Sequence, residues 1–146
     1  MVVEDRTELS ADLAELIMSL SRWLQAEVVR DAGAVQLSSL ERMIMRDIEQ
    51  NPGTTPGRLG RHLGLRSSNT SAALRSLERQ GMVRRAHDPA DRRRIQLFPT
   101  PKAQGNLARV RASWADLLGP HLDSDAAVAH AVALLTDLDR SLRPTE

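Results

Sequence analysis

Between residues 7 and 31 the apolar positions fall three and four apart, at Leu9, Leu13, Leu16, Ile17, Leu20, Leu24 and Val28. That period predicts an α-helix, with Thr7 or Ser10 as its N-cap and Gly33 past its end. The helix is long and carries apolar groups on more than one face, which suits packing against a second subunit. Ser38-Ser39-Leu40-Glu41 has the layout of a capping box. It opens a second helix with Leu40, Met43, Ile44 and Ile48 on the buried side, stopped by Asn51-Pro52-Gly53.

Thr55-Pro56 places an N-cap before a proline at the first helical position. Leu59 and Leu63 give this third helix one apolar face, and Gly64 closes it. Ser67 or Ser68 begins a fourth helix that runs to about Gln80. Ala73, Leu74 and Leu77 mark its buried side, and Gly81 stands at the left-handed position that ends it. Two short helices joined by a tight glycine turn, the second polar at its start, form the helix-turn-helix pattern. The same pattern also occurs as plain core structure.

The period then changes to two. Met82–Ala86 and Arg94–Phe98 read as strands, the second with Ile95 and Leu97 on one face and Arg94, Gln96 and Phe98 on the other. Between them His87-Asp88-Pro89-Ala90-Asp91-Arg92-Arg93 forms a turn, so the segment is a hairpin, placed where a wing belongs. A fifth helix runs from Pro101 through Trp114 to Gly119-Pro120. A last, alanine-rich helix begins near Asp123 or Ser124. Together these elements predict one domain, 1–146, mainly α with a small β-hairpin wing. A winged helix-turn-helix part occupies 37–100, and terminal helices at 7–33 and 101–143 form a dimerisation region.

Charge sharpens this picture. The net charge of +1 conceals −5 over residues 1–54, +10 over 55–111 and −4 over 112–146. A basic centre between acidic flanks points to a polyanion partner for the middle of the chain. Arg58, Arg66 and Arg79 are candidate phosphate contacts. Ser67, Ser68 and Asn69 cluster at the start of the fourth helix, where one is expected to cap and the others to face outward. Arg84 and Arg85 are neighbours on a strand, so at most one of them can face a duplex.

Other chemistry finds little support. The chain has no cysteine, which removes disulfides, thiolate metal sites and thiol-based redox sensing. There is no Gly-rich phosphate loop, no nucleophile elbow, and no ligand spacing among His62, His87, His121 and His130. No catalytic residue, cofactor or metal is expected, and the protein is read as not an enzyme. Met1-Val2-Val3-Glu4-Asp5-Arg6 lacks the layout of a signal peptide and no apolar run could span a bilayer. The expectation is a cytoplasmic protein with no membrane partner.

Leu77-Glu78-Arg79-Gln80-Gly81-Met82-Val83-Arg84-Arg85, followed by Asp88-Pro89-Ala90-Asp91-Arg92-Arg93-Arg94, resembles the MarR family of bacterial transcription regulators. The resemblance extends over the whole chain. It implies a homodimeric repressor that binds double-stranded DNA at a pseudo-palindromic operator. It implies that Ser68, Asn69, Ser71, Ala72 and Arg75, with Ser67 beside them, face the major groove. Arg93 would be the wing arginine that enters the minor groove, Asp91 the acid that orients it, with Arg92 and Arg94 alongside. It further implies a small aromatic or phenolic effector between the DNA-binding and dimerisation parts. Trp23 and Trp114 either line such a pocket or pack at the dimer interface. Ala72 departs from the larger polar or basic residue of many members, and Ala103 from a common glycine. A winged helix used for protein contact, without sequence-specific DNA binding, is the alternative reading.

Overall fold

The computed structural model describes residues 5–144. Met1–Glu4, on which the expectation of no signal peptide partly rests, lie outside them. Helix α1 spans Arg6–Arg30. Its N-cap is Asp5, whose carboxylate accepts from the Thr7 N–H at 3.1 Å. This corrects the expected Thr7 or Ser10 cap: the helix starts earlier, and Ser10 Oγ donates back to the Arg6 carbonyl instead. A carboxylate there also complements the positive end of the helix dipole.

Helix α2, Ser39–Gln50, opens with both arms of the capping box. Ser38 Oγ accepts from the Glu41 N–H, and Glu41 Oε2 accepts from the Ser38 N–H at 2.8 Å. Its buried side is Ile44, Met45 and Ile48. Met43, expected inside, is exposed because its side of α2 borders an open cleft rather than the core. Helix α3, Pro56–His62, is capped by Thr55, which accepts from the Arg58 N–H. Gly64 makes the following turn at φ +63°, a conformation that costs any residue with a Cβ.

Helix α4 spans Ser67–Arg79 and packs on α3 and α2 through Ala73, Leu74 and Leu77. It ends in a Schellman motif. Gly81, at φ +71°, donates to the Glu78 carbonyl, and Met82 donates to that of Leu77, both at 2.9 Å. Strands β1, Val83–His87, and β2, Ile95–Pro99, pair antiparallel with Arg85 opposite Leu97 and Arg84 opposite Phe98. Each strand lies one residue later than its sequence pattern predicts. The Schellman turn holds Met82 at 1% exposure beneath α4, and the ladder starts only beyond it. Thr54 pairs with the far side of β2, so Leu97 is fully enclosed.

Helix α5, Pro101–Leu118, begins at Thr100, whose Oγ1 accepts from the Ala103 N–H and donates to the Gly81 carbonyl at 2.6 Å. One hydroxyl thus ties the end of α4 to the end of the wing. A 3-10 turn, Gly119–His121, leads to α6, Asp125–Ser141, capped by Ser124. The hydrophobic core lies within the middle of the chain, from Ile44 to Ala103. By contrast α1 buries only Val28, and α6 buries nothing. The α1–α5 contact is held by Arg109 on Asp31, by Asn106 accepting from the Val35 N–H, and by Trp114 donating to the Leu24 carbonyl. Among the described residues no helix is long and apolar enough to cross a membrane, and no cluster of histidine and acidic residues could hold a metal ion.

Candidate nucleic-acid interface

Helix α4 presents one exposed stripe. Ser68, Ala72, Arg75 and Arg79 follow one another at spacings of four, three and four, and all are exposed. Asn69 and Ser67 are exposed beside its start, and Ser71 is half-buried. The opposite face carries the core residues Ala73, Leu74 and Leu77 and the buried Thr70. The expected serine cap is absent. The helix starts at Ser67, so the N-cap position falls to Arg66, and no side chain caps the helix there. Ser67, Ser68 and Asn69 therefore occupy the first turn itself. Their N–H groups point out of the helix end with the Arg66 side chain exposed beside them.

The wing turn is built by short-range hydrogen bonds. Asp88 Oδ1 accepts from the Ala90 N–H at 2.9 Å, and Asp91 Oδ1 accepts from the Arg93 N–H at 3.0 Å. The Asp91 carbonyl accepts from the Arg94 N–H, and His87 Nδ1 lies 2.8 Å from the Arg92 carbonyl. Asp91 thus orders the backbone under Arg93 rather than gripping its guanidinium, which differs from the expected contact. An Asp two residues before a backbone N–H closes such a turn more readily than it reaches a long, solvated side chain. Arg92, Arg93 and Arg94 are all exposed.

Charge pairing separates the arginines. Arg85 is bound to Glu78 at 2.6 Å, joining the wing to α4. Arg84 lies over the Phe98 ring, 4.5 Å from its centroid, directly across the strand pair. Among the described residues, Arg66, Arg75, Arg79, Arg92, Arg93 and Arg94 make no ion pair. Arg58 is exposed on α3. The arginines of the α4 stripe and of the wing tip are therefore left out of the ion pairs of the described residues.

A cleft of about 820 Å³ separates α2 from α5 and the end of α6, lined among others by Met43, Arg46, Glu49, Arg111, Trp114 and Arg143. Burial pushes the Glu49 carboxyl above the ordinary glutamate value, opposed in part by the Arg111 charge. Trp114 stands on this wall. Trp23 is exposed on α1 and is not part of it.

Sequence reasoning missed a polar cluster at one edge of the cleft. Asp47 is 2% exposed, with His62 Nδ1 2.7 Å away. Arg143 approaches both, and binds Asp139 at 2.8 Å. The one signal was an aspartate lying within the apolar stripe of α2. Its partners are far away in sequence and show no spacing.

A helix-turn-helix followed by a two-stranded hairpin, flanked by long helices, is a winged helix-turn-helix protein. The model of the MarR family matches residues 37–95, the winged segment of the chain. Solved structures agree in fold. A MarR family transcription regulator superposes with a TM-score of 0.70 at 18% identity, covering 92% of this chain and 87% of its own. FabT of Streptococcus pneumoniae, solved in complex with DNA, gives 0.68 at 23% identity, covering 94% and 97%. BldR of Sulfolobus solfataricus, a transcriptional regulator, gives 0.67 at 21% identity, covering 96% and 99%. No curated protein matches the sequence.

Proposed function

We propose that the protein is a DNA-binding transcription regulator that acts as a homodimeric repressor of a pseudo-palindromic operator. The observation that carries this reading is the exposed arginine surface, without ion pairs among the described residues, running from α4 to the wing tip. A duplex has one negative charge about every 1.7 Å of axis, and such a surface releases its counterions on binding. In this reading α4 lies in the major groove, with Ser67, Ser68, Asn69, Ser71, Ala72 and Arg75 toward the bases. Arg58, Arg66 and Arg79 meet phosphates. The wing residues Asp91 to Arg94 reach the minor groove, where a narrow, electronegative groove favours an arginine on an ordered turn. The resemblance of the fold to FabT, solved in complex with DNA, supports a DNA partner.

Residues 37–100 form the DNA-binding part, and 7–33 with 101–143 the dimerisation part. Leu16, Leu20 and Trp23 on α1 and Val132, Leu134 and Leu135 on α6 are exposed, an apolar surface that a second copy would cover. Two recognition helices would then address half-sites about one helical turn, roughly 34–36 Å, apart. The cleft beside Trp114, Arg111 and Arg143 has the size and charge for a small aromatic or phenolic anion, which would release the repressor.

Fluorescence-anisotropy titration against DNA from the protein's own upstream region tests the reading. Wild-type protein is expected to bind with log K falling steeply and linearly with log salt. Arg93→Ala is expected to lose about 1–3 kcal/mol of affinity, with melting temperature and oligomeric state unchanged. A flat salt plot, or undiminished binding by Arg93→Ala, rejects this assignment. Absence of DNA binding altogether favours a protein-interaction module.

A further inference from the structure

The cluster of Asp47, His62 and Arg143 joins the parts of the molecule that the proposed function separates. Asp47 lies on α2, His62 ends α3 within the helix-turn-helix, and Arg143 follows the last turn of α6. The next residue, Pro144, covers the turn between α3 and α4. A Cβ on Gly64 would lie 3.2 Å from the Pro144 Cγ. The end of α6 is thus pinned to the helix-turn-helix, although α6 itself buries no residue.

Both ring nitrogens of the histidine have partners. His62 Nδ1 faces Asp47 Oδ1 at 2.7 Å, and Nε2 faces Arg143 Nη1 at 3.3 Å. A guanidinium only donates, so Nε2 must accept. The closed arrangement fits a neutral imidazole with its proton on Nδ1, between a carboxylate and a guanidinium. Other charged groups line the recess beside the ring. They are Arg46 from α2, Arg58 from its own helix, and Asp139 and Arg140 from α6.

A proton on Nε2 changes the balance. It places a donor against the Arg143 donor and a second cation beside the first. Asp47 remains neutralised by the imidazolium, so releasing Arg143 leaves no buried charge unpaired, which would otherwise be costly. Arg143 keeps Asp139, its partner one turn back on the same helix, at 2.8 Å. Opening is therefore cheap for every group in the cluster, and it frees the tail from α3. Histidine is the side-chain type whose charge changes in the range where such an opening is useful.

We infer that Asp47, His62 and Arg143 form a proton-operated latch between the last helix and the helix-turn-helix, closed when His62 is neutral. Its regulatory consequence, that closure holds α3 and α4 in the spacing DNA requires, rests on the DNA-binding reading above.

Hydrogen–deuterium exchange of the full-length protein at pH 8 and pH 6, corrected for intrinsic rates, reads the latch without DNA. The segment 136–144 is expected to open about fivefold more at pH 6, on the scale of local openings. In His62→Gln the corrected exchange should not depend on pH. In Arg143→Gln, which alters no fully buried group, the segment should exchange fast at both pH values. Equal protection of the wild-type segment at both pH values, or an unchanged pH dependence in His62→Gln, overturns the latch. Anisotropy titrations over the same interval should show wild-type affinity falling about threefold more than that of His62→Gln, a difference of the size typical for modest coupling. DNA binding with identical pH dependence in both proteins overturns the regulatory half. If the segment opens as expected but DNA is bound at neither pH, the DNA-binding reading fails while the latch stands.

Discussion

Arg75 and Arg79 share the exposed stripe of α4, yet they should act differently on a duplex. Arg75 lies mid-helix, one turn beyond Ser71 and Ala72, where a side chain can reach base edges. Arg79 is in the last turn, nearer the backbone of the groove. A guanidinium that pairs with a base discriminates between bases, whereas one that meets a phosphate does not. Arg75→Ala is expected to cost about 1–3 kcal/mol and to relax preference at one base position. Arg79→Ala is expected to weaken all sequences alike and to reduce the salt slope by about 1. Selection of bound sequences by each variant, with salt titrations, checks the pair. Identical profiles for both variants would contradict the division. Ala72 offers only a methyl group in this stripe, so in the proposed reading base recognition falls to Asn69, Ser71 and Arg75. At this scale the identities of candidate residues were legible, because a polar helix start and an arginine-rich turn are written in order. The role of Asp91 was not, because whether a carboxylate meets a side chain or a backbone N–H depends on how the turn closes.

Two joints between elements carry testable consequences. Gly81 ends α4 at φ +71°, and the Schellman hydrogen bonds set the angle at which β1 leaves. An alanine there must adopt a left-handed backbone at a cost of about 1–2 kcal/mol. Gly81→Ala should lower the melting temperature by roughly 2–8 °C in a domain of this size, measurable by circular dichroism. An unchanged melting temperature would mean the joint tolerates another path. The second joint links α1 to α5. The Arg109 guanidinium beside Asp31 is the main cause holding that carboxyl below the ordinary aspartate value, helped by the Gly33 N–H. A lowered carboxyl pKa contributes stability that is present above about pH 4, the unfolded value, and lost as pH falls through the folded one. Asp31→Asn should therefore be less stable than wild type at neutral pH and indistinguishable from it near pH 2. Urea unfolding at both pH values decides this, and an equal deficit at both would exclude the ion pair as its source.

At the scale of the molecule, the core lies mainly in the winged part while the terminal helices leave most of their apolar faces open. A long helix such as α1, with one buried residue, is held by few contacts within its own chain. The proposed dimer accounts for this imbalance, since a second copy would cover α1 and α6 together. Leu135→Glu places a charge on that face without disturbing the core. It is expected to shift the protein toward monomer in light-scattering chromatography and to weaken operator binding in parallel. A dimer of undiminished stability would place the interface elsewhere.

The linear sequence by itself determined the elements and their order. Helical period, the Ser38 capping box, the Thr55-Pro56 start and the Gly64 and Gly81 stops are local, and local signals act before the chain is folded. The basic middle was equally legible, since charge is counted along the chain. Tertiary structure decided the rest, because it depends on which distant groups meet. It placed Met45 rather than Met43 against the core, bound Arg85 to Glu78 and stacked Arg84 on Phe98, and left the exposed arginines of α4 and the wing tip out of the ion pairs of the described residues. It also brought Asp47, His62 and Arg143 together across 96 residues of sequence. A buried carboxylate needs partners, but only the return of the chain end after α6 to α2 and α3 could choose which ones.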